Sequence, residues 1–159
     1  MRWIKAAAEG LCFLGQCSRP SNGQTIGTMV KNNTEPGRPK PTVFVVDDDR
    51  AVRNSLKFLL ELEGFPVRLY ADGEELLKEG NLPKDGCLVI DQVMPGMSGL
   101  EIVDEIRQRG ARNPAVLIVS SPNVKVRKGA ETRGIAVVEK PFLEHALVDA
   151  IHHAIAAHT

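Results

Sequence analysis

An excess of charge of either sign is missing from this sequence. Its 159 residues carry 20 Lys and Arg against 20 Asp and Glu. That balance excludes a strongly basic nucleic-acid-binding protein and an acidic disordered chain, so no direct contact with DNA is expected. Cysteine is scarce. Cys12, Cys17 and Cys87 are too few and too scattered for a disulfide framework, and Cys12 and Cys17 lack the further ligands that a zinc site needs. All three read as reduced thiols of a cytoplasmic protein, Cys87 simply packing at the head of an apolar run. No apolar stretch approaches the roughly 18–20 residues of a membrane span, so no membrane partner is expected. Neither a Walker loop nor a Gly-x-Gly-x-x-Gly is present, which leaves nucleotide binding without support.

What is present is ordinary for one globular domain: 43% hydrophobic and 25% charged residues. The neutral total hides an asymmetry. Residues 1–41 hold six basic and two acidic residues, a surplus of four positive charges that the remainder balances. Met1–Cys17 faintly resembles a signal peptide, but its apolar stretch is short and broken by Glu9 and Gly10. Residues 18–41 are dominated by Pro, Gly, Asn, Ser and Thr, a composition that cannot bury enough apolar surface to offset its ordering entropy. Residues 1–41 are therefore expected to be a flexible extension, with Met29 as an alternative start, and residues 42–159 the domain.

From Thr42 the pattern is regular. Val43–Val46, Cys87–Ile90 and Ala115–Val119 are short apolar runs with the signature of strands buried on both faces. Val67 to Tyr70 alternates, and Ile135–Val138 makes a fifth strand. Between them lie helical spacings. Residues 50–63 end at Gly64, where a helix terminus favours glycine. A short helix is capped by Asp72. Ser98 and Glu101 have capping-box spacing ahead of Leu100, Val103 and Ile106. A helix poor in apolar residues spans 123–132, and an amphipathic one spans Phe142–His158. Strands and helices alternating this way imply an α/β fold, a doubly wound parallel sheet covered on both faces.

In such sheets chemistry gathers at the carboxyl ends of the strands. The first strand ends in Asp47-Asp48-Asp49, the third in Asp91, the fourth in Ser120-Ser121, the fifth in Glu139-Lys140-Pro141. With the first and third strands adjacent, at least three carboxylates converge. Carboxylates that close repel unless a cation joins them, and a hard ion such as Mg2+ suits an all-oxygen site. Lys140 and the Ser120 hydroxyl suit phosphoryl oxygens. One carboxylate, Asp91 by its isolation, is then free to act as nucleophile. Asp48 or Asp49 could equally serve only as a helix cap.

Three stretches carry a resemblance: Val45-Val46-Asp47-Asp48-Asp49, the run Leu88-Val89-Ile90-Asp91-Gln92-Val93-Met94-Pro95-Gly96-Met97-Ser98-Gly99-Leu100-Glu101, and Val138-Glu139-Lys140-Pro141-Phe142. Residues 42–158 resemble the receiver domain of bacterial two-component response regulators. The resemblance implies a flavodoxin-like five-stranded sheet of order 2-1-3-4-5. It implies that Asp91 accepts a phosphoryl group from a histidine kinase, and that Asp47, Asp48, Asp91 and the Val93 backbone carbonyl hold Mg2+. It further implies that Ser120 stands at the switch hydroxyl position, and that Lys140 contacts the phosphoryl group and is joined to Pro141 by a cis bond.

Val137 departs from the family, which usually carries Tyr or Phe three residues before the lysine. The stretch from Ser120 to Lys140 is also slightly short. The expected function is a single-domain response regulator, not an enzyme in its own right. It would signal through a sensor kinase or phosphotransfer protein, through protein contacts, as a homodimer, or by phosphorelay. Two rivals remain: a phosphorylation-independent binding module, and a phosphatase of the haloacid-dehalogenase type, which typically needs an acid where Val93 stands. His145, His152, His153 and His158, and the basic cluster Lys125, Arg127, Lys128 and Arg133, are read as solvated faces.

Overall fold

Val43–Val46, Cys87–Asp91 and Ala115–Val119 bury every residue, and that burial sets the architecture. The computed structural model describes residues 39–158 apart from Phe142. The extension up to residue 38, with Cys12, Cys17 and Met29, lies outside the described residues. The fully apolar runs are strands β1 (Val43–Val46), β3 (Cys87–Asp91) and β4 (Ala115–Val119). They are flanked by β2 (Val67–Tyr70) and β5 (Ala136–Glu139). All neighbours pair in parallel in the order β2-β1-β3-β4-β5, as expected. The edge strand β2 keeps Arg68 exposed, which is why its sequence alternates.

Five helices cover the faces: α1 (Arg50–Leu62), α2 (Gly73–Lys78), α3 (Gly99–Gln108), α4 (Val124–Thr132) and α5 (Glu144–Ala156). The starts of α1 to α4 are set by side chains that satisfy otherwise orphaned amides. Asp49 accepts from Ala51 N at 2.7 Å, Asp72 from Glu75 N at 2.7 Å, and Asn123 from Val126 N at 2.9 Å. Ser98 and Glu101 form the expected capping box. Gly64, two residues beyond the end of α1, has a left-handed φ of +80°. No helix of the described residues is long and apolar enough to cross a membrane.

The pleat of the sheet feeds two cores. Phe44, Leu88, Ile90 and Leu117 meet Ile102, Val103 and Ile106 of α3 on one face. Val43, Val45, Val89, Val116 and Ile118 meet Leu56 and Leu60 of α1 and Leu147 and Ile151 of α5 on the other. Lys40 is already part of this domain: its ammonium lies 4.5 Å from the centroid of the Phe65 ring and donates to the Glu63 carbonyl.

Two boundaries move from expectation. β5 runs one residue later, Ala136–Glu139, because Ile135 N donates to Ala130 O at 2.9 Å and closes α4 instead. α5 begins at Glu144, with Leu143 at its N-cap and no side chain capping it.

The weak α4 buries only Ala130. It is tied to α3 by ions. Arg133 donates Nε and Nη2 to the two oxygens of Asp104 at 2.7 and 2.6 Å, and Nη1 to Gly129 O at 2.8 Å. Hydrogen bonds from Arg133 hold the Asp104 carboxyl below its usual range, against the effect of its partial burial. Arg133 therefore leaves the solvated basic cluster in which the sequence placed it.

Candidate functional site

The register decides what meets at the carboxyl edge. Val46 pairs with Ile90, so Asp47 and Asp91, one step on, stand side by side. Val119 pairs with Glu139, so Ser120 and Lys140 follow at the ends of the next two strands. Lys140 is held there by its own amide, which donates to Val119 O at 2.7 Å, and its bond to Pro141 is cis, as the resemblance implied.

Lys140 Nζ donates to Asp91 Oδ1 at 2.8 Å and to Asp47 Oδ2 at 3.1 Å. Three side chains spread over 93 residues of sequence thus share one point. Asp47 is 2% exposed and Asp91 5%. Two nearly dry carboxylates face one ammonium, which leaves the group one negative charge in excess. Burial works against the Lys140 charge. The hydrogen bonds to Asp91 and then Asp47, together with their charges, outweigh it and raise the lysine above its ordinary value.

The Asp47-Asp48-Asp49 run divides its labour. Asp47 turns inward: its Oδ1 accepts from Asp49 N at 2.8 Å and its carbonyl from Arg53 Nη1 at 2.6 Å. Asp48 is exposed. Asp49 caps α1. Lys140 joins two of the expected acids, Asp47 and Asp91, and no group of three or more His, Cys, Asp or Glu placed to hold a metal is found among the described residues.

After Asp91 the chain folds back. Val93 N donates to Asp91 Oδ2 at 2.9 Å, while the Val93 side chain is 75% exposed. Gly99 N donates to Gln92 O at 3.2 Å and Leu100 N to Gln92 Oε1 at 3.3 Å. A Cβ at Gly99 would lie 2.7 Å from the Asp91 carbonyl oxygen, so α3 can approach the acid this closely only with glycine there. Ser120 is exposed, and among the described residues its hydroxyl makes no hydrogen bond to Asp91 or Lys140. Val137 pairs with Leu117 and packs half-buried against the α3 side core. Arg53 escaped the sequence reading. In the first turn of a helix it looks like any solvated arginine, and nothing in its spacing points to the Asp47 carbonyl.

The donor set fits a hard divalent cation. It offers carboxylate oxygens with unmet negative charge, and Mg2+ commonly takes one or two carboxylates and completes its octahedron with water. A third protein acid is not required.

Residues 43–152 match the model of the response regulator receiver domain. The chain is 37% identical over 120 residues to the C4-dicarboxylate transport transcriptional regulatory protein DctR of Rhodobacter capsulatus, covering 74% of this chain and 61% of that protein. It is 39% identical over 115 residues to the transcriptional regulatory protein FixJ of Azorhizobium caulinodans, covering 71% of this chain and 54% of that protein. The crystal structure of FixJ-N superposes with a TM-score of 0.68 at 32% identity, over 73% of this chain and 94% of that one. The chain therefore spans a little over half the length of the curated relatives it matches. These relatives correct one expectation. Balanced charge led to a protein whose partners exclude DNA, yet the relatives are transcriptional regulators with much more chain than the part aligned here. Charge balance over one domain says nothing about what a regulator does with the rest of its length.

Proposed function

The chain belongs to the response regulator receiver domain family, and from that premise we propose that Asp91 is the phosphoacceptor of a phosphorylation switch. The observation that supports this most is the shared ammonium: Lys140 reaches both Asp91 and Asp47 at the carboxyl edge of the sheet. A carboxylate oxygen of Asp91 forms a bond to phosphorus while the bond from phosphorus to the imidazole nitrogen of a phosphohistidine in a histidine kinase breaks. The imidazole leaves with the electron pair. Lys140 exchanges part of its contact with Asp91 for an oxygen of the incoming group, which keeps the charge of the site matched as it grows. The Val93 amide orients the Asp91 carboxyl, and Arg53 fixes the Asp47 backbone.

Asp47, Asp48 and Asp91 with the Val93 carbonyl would hold Mg2+, which when bound neutralises phosphoryl oxygens. Ser120 donates its hydroxyl to the modified Asp91. With Val137 in place of a ring, that movement is read by packing against α4 and not by an aromatic rotamer. The relatives' names support transcriptional regulation as the setting.

The test is intact-mass analysis after incubation with acetyl phosphate and Mg2+, for the wild type and Asp91→Asn. A gain of one phosphoryl group in the wild type alone is the expected result. No gain, or an equal gain in the variant, would overturn the assignment.

A further inference from the structure

The turn after Asp91 is fastened by the residue that opens it. The first four amides of a helix find no partner inside it. In α3 they belong to Ser98, Gly99, Leu100 and Glu101. The capping box serves the outer two: Ser98 N donates to Glu101 Oε2 at 2.8 Å, and Glu101 N to Ser98 Oγ at 3.4 Å. The inner two both donate to Gln92. Gly99 N reaches its backbone carbonyl at 3.2 Å, and Leu100 N its side-chain Oε1 at 3.3 Å. Gln92 is therefore a second cap of α3, placed at the exit of β3.

Gln92 is also held from the other side, because its own amide donates to Ile118 O of β4 at 2.8 Å. One half-buried residue thus joins β4, the end of β3 and the start of α3, and residues 93–98 form a loop whose two ends meet at it. Within that loop Met94 and Met97 pack against the α3 side core, whereas Val93, Pro95 and Gly96 are exposed. Val93 is its first residue. The Val93 amide donates to Asp91 Oδ2 at 2.9 Å, and the Val93 carbonyl is among the groups proposed to hold Mg2+. How the loop closes decides where both groups point. The backbone bond from Gly99 survives any substitution at residue 92; the bond from Leu100 does not.

We propose that Gln92 is a positioning residue of the phosphoacceptor site: its side-chain carbonyl, by holding Leu100 N, closes the loop of residues 93–98 and presets the Asp91 carboxylate and the Val93 carbonyl before a cation arrives. Ligands that are already placed lose less conformational freedom on binding. This role rests on the assignment of Asp91 and Val93 to the Mg2+ site.

Three variants of the full chain test it. Gln92→Leu keeps the bulk and removes the acceptor. Gln92→Asn keeps the amide but falls one methylene short, which covers the case that leucine disturbs the fold. Gln92→Glu keeps an acceptor oxygen at a helix N-terminus, where negative charge is favoured. The first measurement is made without metal, in EDTA: protection of the Val93 amide from hydrogen exchange should fall about fivefold in the leucine and asparagine variants, the equilibrium shift of one hydrogen bond, and stay at the wild-type level in Gln92→Glu. The second is calorimetric titration with Mg2+, whose Kd should rise about fivefold in the same two variants, with Gln92→Glu binding at least as tightly as the wild type. A bond that only stabilises the fold would lower the urea midpoint and leave the Mg2+ affinity of the folded chain unchanged. Wild-type Mg2+ affinity or wild-type Val93 protection in both loss variants would overturn the role, as would a Gln92→Glu variant as impaired as Gln92→Leu. A wild type that binds no Mg2+ would overturn the site assignment and this role together, whereas unchanged variants beside a binding wild type overturn this role alone.

Discussion

Replacing Lys140 with Met tests the electrostatic logic of the site. The methionine keeps the length of the stem and removes the charge. It leaves Asp47 and Asp91, 2% and 5% exposed, without the ammonium that bridges their carboxylates. Removing one partner of a fully buried ion pair costs about 3–5 kcal/mol. The Lys140 side chain is 24% exposed, so water recovers part of that, and about 2.5 kcal/mol is the expected loss. At an m-value of about 1.5 kcal/mol/M, the urea midpoint should fall by roughly 1.5 M. Far-UV circular dichroism of the full chain measures it. Two further arms follow from the same reasoning. Lys140→Met with Asp91→Asn removes the second charge and should regain most of the loss. Millimolar Mg2+ should stabilise Lys140→Met more than the wild type, because ligand binding to the native state raises stability by mass action and the variant has more unmet charge. A midpoint within about 0.3 M of the wild type, or no recovery in the double variant, would refute the account.

Three other outcomes follow. Arg133→Met and Asp104→Asn should show a coupling of about 1 kcal/mol in a double-mutant cycle, given a bidentate pair with side chains 30% and 38% exposed; additivity would refute it. Since Asp104 is held below its ordinary value, that coupling should be complete above the unfolded carboxyl range, about pH 4, and vanish as pH falls through the folded value. Gly99→Ala should cost about 2 kcal/mol and slow acetyl-phosphate modification of Asp91, because its Cβ would press on the Asp91 carbonyl; unchanged kinetics would separate α3 from the site. Burial pushes the Cys87 thiol up to about 12, so a thiol reagent at pH 8 should leave Cys87 unlabelled in the native state and label it in urea, as peptide mapping would show; rapid native labelling would contradict its burial.

Much of this was legible because it is local. Four apolar residues in a row at Val43–Val46 can only be a strand with both faces covered, and Ser98 with Glu101 can satisfy each other's amides only at a helix start. The strand-end acids and Lys140 were legible for a different reason: parallel order brings strand exits together whatever lies between. What stayed hidden depends on which way a side chain turns after the strand stops. Asp47, Asp48 and Asp49 are identical letters with three environments. Asp104 and Arg133, 29 residues apart, meet only because α4 has too little apolar surface to seat itself. The same is true of Arg53, whose partner is a backbone carbonyl that no sequence pattern marks.

Asp91 terminates the central strand, and the alternate residues of that strand, Leu88 and Ile90 against Cys87 and Val89, are anchored in opposite cores. A covalent change at its tip therefore pulls on a member shared by both layers of the domain, whereas a change in β5 would load one margin of the sheet. If Asp91 is modified as proposed, strain at this one carboxyl group would reach the α1–α5 side as well as the α3–α4 side, so the absence of an aromatic ring at residue 137 would still leave two faces open to the signal.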